Sequence, residues 1–151
     1  MELGAVIGGL LRVVPTAARY ARYRGRVELS LTWDTVLYVI GASNEWRRGI
    51  KISVTAPRHE EFVAAAGRFE RRVGWMRWHA VCPVDTSGSQ PWVIPMNRSD
   101  ERVADAARIA DGLASAEVAR IRVVLSDPHN RRMVSEPLDV TASELRRRKW
   151  S

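Results

Sequence analysis

A chain of 151 residues, 46% hydrophobic and 27% charged, is long enough to bury the core of one domain without staples, and its composition argues against disorder outside the ends. One cysteine, Cys82, cannot form an internal disulfide, so nothing requires an oxidising compartment and a reducing cytoplasm is expected. The net charge of +7 lies at the ends, because residues 27–140 balance 15 basic against 15 acidic side chains, which speaks against a uniformly basic, nucleic-acid-binding body.

Residues 1–25 read as a basic amphipathic helix. Leu3, Ile7, Leu10 and Leu11 lie on its wide apolar face, while Arg12, Arg19 and Arg22 recur at helical spacing, and Pro15 kinks or divides it. The uncharged run 3–11 is too short to cross a bilayer. A secretory signal carries positive charge before its apolar stretch, whereas here Glu2 precedes it, so export is not expected.

Residues 26–140 form the predicted body. Val27, Leu29, Leu31 and Trp33 alternate with polar residues as in a half-buried strand, Asp34 and Thr35 suggest a turn into the apolar run 36–40, and a further strand is expected over 50–56. Residues 58–72 combine an alanine-rich, helix-favouring composition with strand neighbours, and the balance leans to strand. A strand over 73–81 would set Trp75 and Trp78 on opposite faces. A short strand follows at 91–96, then a helix with Ser99 as its N-cap, carrying Val103, Ala106, Ala107, Ala110 and Leu113. Asp127, Pro128 and Asn130 supply the turn of a hairpin joining 118–126 to 132–140. Thr141 and Glu144 suggest a capping box opening the basic tail 141–151, which ends in Arg146, Arg147, Arg148, Lys149 and Trp150.

The fold class expected is mainly β: an immunoglobulin-like β-sandwich with an N-terminal helix and one helix inserted before the last hairpin. The strand at 50–56, the helix after Ser99 and the stretch 118–127 running into its turn together resemble a set of uncharacterised bacterial immunoglobulin-like β-sandwich proteins over about 26–140. That resemblance implies a fold and no activity. The chain departs from a true immunoglobulin domain in lacking a Cys…Trp…Cys arrangement, and 58–72 is unusually rich in alanine.

His79, three residues before Cys82, is the nearest approach to a metal or nucleophile motif, and a structural cysteine beside an ordinary histidine is the simpler reading. No catalytic residue, metal site or cofactor is therefore assigned, and the chain is not expected to be an enzyme. Trp33, Trp75 and Trp92 are expected in the core; if an aromatic binding surface exists, Trp46 and one of Trp75 or Trp78, with Trp78 the first choice, are its candidates. The leading functional expectation is a non-catalytic protein-interaction module, with Leu3, Ile7, Leu10, Leu11, Arg12, Arg19 and Arg22 docking onto a protein partner or a second copy. Peripheral attachment to an anionic membrane through the basic ends is the first rival. Nucleic-acid binding is the second, through Arg120, Arg122, Arg131 and Arg132 on the hairpin and Arg146, Arg147 and Arg148 in the tail.

Overall fold

Among the described residues, apolar side chains alternating along the chain build ten strands and two short helices, so the protein is mainly β. The computed structural model describes residues 27–84, 88–113 and 118–147. The proposed N-terminal helix, with Leu3, Ile7, Leu10, Leu11, Arg12, Arg19 and Arg22, lies outside the described residues, as does Arg148.

β1 (Glu28–Ile40) and β2 (Ser43–Thr55) form one antiparallel hairpin, turned at Gly41, whose φ of 61° suits a residue without a Cβ. The expected turn at Asp34 and Thr35 is absent. β1 runs through it, with Asp34 opposite Gly49 and Thr35 opposite Arg48, and the Asp34 side chain accepts a 2.7 Å bond from the Thr35 amide within the strand. β3 (Phe62–Ala64) and β4 (Ala66–Val73) resolve the ambiguous segment as strand. Its helix-favouring alanines are overridden by pairing partners on other elements.

β5 (Arg77–Pro83), β6 (Trp92–Ile94) and β7 (Ser99–Asp105) follow. The helix expected from Ser99 therefore starts later. Residues 99–105 instead pair with β2, from Thr55↔Ser99 to Gly49↔Asp105, and the cap passes to Asp105, whose side chain accepts from the Ala107 amide at 3.0 Å to open α1 (Ala106–Gly112). β8 (Ala119–Ser126) returns through the expected turn to β9 (Arg132–Val134) and, after a break at Ser135–Pro137, to β10 (Leu138–Val140), both paired with β8. Thr141 caps α2 (Ala142–Arg146), accepting from the Glu144 amide at 3.0 Å as the capping-box reading expects.

The strands form sheets in the orders β1-β2-β7 and β10-β8-β4-β5, with β9 also on β8, and a small β3-β6 pair. Ile50, Ile52 and Val54 from β2, Phe69 from β4, Ile121, Val123 and Leu125 from β8, and Phe62, Trp92 and Ile94 from the small pair enter one buried cluster. Each such side chain contributes roughly 1.5–3 kcal/mol on leaving water. Ile109, Leu113 and Leu145 bring α1, its C-cap and α2 into the same cluster. Trp92 is buried as expected and Trp33 packs half-buried on the cluster, but Trp75 is not in the core. It is 79% exposed in the β4–β5 turn, because Gly74 at φ 66° ends the strand that was expected to continue through it.

Candidate functional site

Two surfaces gather the candidate residues. The first is the face of the β8-β4-β5 sheet turned away from the core. Cross-strand partners in an antiparallel sheet share a face, so the pairings Glu70↔Arg122, Arg72↔Trp78 and Arg120↔Asp139 place these side chains together. A bulge decides which of two neighbours joins them. The register shifts between Phe69 and Glu70, so that Phe69 opposes Cys82 and Glu70 opposes Ala80. Without the extra residue His79 would oppose Arg72, and Trp78 would turn to the other face.

Glu70 is the hub of this face. It is buried, and it accepts from Arg68 Nε at 2.7 Å and from Arg122 Nε at 2.9 Å, with Arg132 Nη2 at 3.9 Å. Burial alone would raise its pKa, but the hydrogen bonds and charges of Arg68 and Arg122 outweigh that and hold it below the ordinary carboxylate value. The Arg122 guanidinium also lies 4.1 Å from the centroid of the Trp78 ring. At the edge Arg120 bonds Asp139 at 2.9 Å; that hydrogen bond raises the arginine's pKa and lowers the aspartate's.

The predicted basic residues thus divide. Arg120, Arg122 and Arg132 share the face. Arg131 does not: it is folded onto buried Asp127 at 2.5 Å and stabilises the turn. Arg146 pairs with Asp111 at 2.8 Å on α1, and exposed Arg147 ends α2 beside it. Sequence reasoning missed Arg68, Glu70 and Arg72, whose alternation along β4 was hidden by the uncertainty over 58–72. It also missed the tip of the β4–β5 hairpin, although the run 71–83 holds no acidic residue.

The second surface is the ribbon. β7 covers β2 only as far as Gly49, so six β1–β2 pairs, from Thr35↔Arg48 to Ile40↔Ser43, continue beyond it. Trp46 and Leu37 are cross-strand partners on the same side as core residue Ile50, yet they remain 39% and 42% exposed. Arg48 stacks 5.0 Å over Trp33 at the base of this strip.

Neither surface resembles a catalytic centre. Cys82 is half-buried, and burial raises its thiol pKa with only partial relief from Arg108, the reverse of what activates a thiolate. A cleft of about 540 Å³ is lined by Ala64, Gly67, Val84, Trp92, Arg108 and Leu125, a set without a paired nucleophile and base.

No protein-family model matches the chain, and no curated protein matches it. Among solved structures, an X-ray structure of Northeast Structural Genomics Consortium target SoR45 aligns over 79% of this chain and 89% of its own, at 6% identity and a TM-score of 0.43. A likeness of that degree carries no functional argument.

Proposed function

We propose that this protein is a non-catalytic interaction module on an immunoglobulin-like β-sandwich, and that the β1–β2 ribbon docks it onto a second copy of itself. The sandwich reading is supported by two antiparallel sheets that send their inward rows into one cluster. The docking reading rests on the Leu37–Trp46 pair. A strip that is core-facing lower on the same strands continues beyond β7 and keeps Leu37 42% and Trp46 39% exposed, an apolar surface that a second copy would cover further. β1 pairs only with β2 among the described residues, so its second edge runs beside that strip. A second copy related by a two-fold axis would pair with the edge and cover the strip together.

The mass of the full chain by light scattering tests this. Wild-type protein should have the mass of two chains, and Leu37→Ser with Trp46→Ser the mass of one. A wild-type protein that stays monomeric across a concentration series, or a variant that stays dimeric, would sink the reading.

A further inference from the structure

The β4–β5 hairpin ends in Gly74, Trp75 and Met76, between the last paired residues Val73 and Arg77. Trp75 is 79% and Met76 72% exposed, and Arg72 and Arg77 stand behind them. From this geometry we infer that the hairpin tip is a membrane-insertion element that seats in the headgroup region of an anionic phospholipid bilayer. This goes beyond the ribbon-mediated pairing and does not depend on it.

Three observations select that occupant. Two adjacent apolar side chains project from one tip, and a tryptophan is the side chain that best tolerates the boundary between hydrocarbon and headgroup. The tip backbone is prepared for a low-dielectric setting: Arg72 donates from Nε to the Trp75 carbonyl at 3.0 Å, with a second bond from Nη2, so this acceptor does not depend on water. The charge is also complementary. From residue 71 to Pro83 the chain carries Arg71, Arg72 and Arg77 and no carboxylate, whereas Arg122 and Arg120 further down the sheet are matched by Glu70 and Asp139, so the unbalanced positive charge lies at the tip. A single-stranded nucleic acid would share the positive charge but would need open aromatic faces for its bases. Trp78 is already covered by Arg122 and Met76 offers no ring, so exposed Trp75 is a single open ring at the tip and not the succession of stacking faces that a strand of bases would use.

Co-sedimentation of the full chain with phosphatidylcholine–phosphatidylserine vesicles, beside pure phosphatidylcholine vesicles and a single-stranded oligonucleotide, is the test. Binding to the anionic vesicles is expected, weakening as salt rises from about 0.1 M to 1 M and the screening length shrinks from about 10 Å to 3 Å. Trp75→Ser with Met76→Ser should lower the partition about tenfold or more, and Arg77→Gln about fivefold. Because residues 1–26 are unchanged in these variants, vesicle binding that survives them belongs to another segment and overturns the inference. So does binding to the oligonucleotide alone, or no binding to the anionic vesicles. As an independent readout, Trp75→Phe should keep binding while losing part of the fluorescence quenching by brominated lipid. Undiminished quenching would place Trp75 outside the bilayer and reject the proposal.

Discussion

At Glu70 desolvation and pairing act in opposite directions on one carboxyl group, and pairing prevails because Arg68 and Arg122 reach both of its oxygens. Its folded pKa lies below the ordinary glutamate value. The unfolded chain therefore takes up this proton first as the pH falls. The stabilisation is complete above the unfolded pKa and is lost as the pH drops through the depressed folded value. Glu70→Gln should cost about 2 kcal/mol near pH 7, since it leaves arginines without their charged acceptor. Urea titrations at about pH 7 and about pH 3 should find the gap between wild type and variant narrower at the lower pH; an equal gap at both would contradict this account. Asp127 is the counterpart that sequence could read. Its turn residues are contiguous, and its side chain accepts from the amides of His129 and Arg131 at 2.9 and 2.7 Å. Glu70 was not legible, because its partner Arg122 is 52 positions away.

Among the elements, the largest departure from sequence expectation lies at 99–113. Residues 99–105 pair with β2, so the helix begins only at Ala106. Periodicity and a cap candidate describe local preference, while seven residues of register with a buried strand are a tertiary gain that exceeds it. The end of α1 shows the same precedence in packing. A Cβ built on Gly112 would lie 2.5 Å from Val81 Cγ1 and 2.7 Å from the Val81 carbonyl oxygen, which cannot rotate away. Gly112→Ala would gain up to about 1 kcal/mol of helix propensity and lose about 1–3 kcal/mol to overpacking. Net destabilisation is expected in urea unfolding, and a variant more stable than wild type would show that β5 yields to α1. The bulge in β4–β5 is equally invisible in sequence, yet it decides that Trp78, rather than His79, joins the arginine face.

Across the whole molecule the pairings that close the sheets join distant positions, such as Ile52 with Arg102 and Glu70 with Arg122. Loop-closure entropy must be overcome before such contacts are rewarded, so refolding followed by tryptophan fluorescence should occur over roughly milliseconds to seconds at 25 °C. Microsecond refolding would mean that local structure dominates the barrier. At this scale the two candidate surfaces differ in origin: the ribbon is a run of one hairpin beyond its neighbour, whereas the arginine face is assembled from β4, β5, β8, β9 and β10. The sequence by itself determined what depends on near neighbours: the mainly β class, the alternation of Ala119, Ile121, Val123 and Leu125 against Arg120 and Arg122, the turn at Asp127, and the cap at Thr141. Tertiary structure alone decided the uninterrupted length of β1, the strand at 99–105, which of Trp75 and Trp78 stands exposed, and the clustering of arginines around Glu70. Each of these depends on what lies across a sheet, and a strand carries side-chain alternation in its own sequence but not the identity or register of its partner.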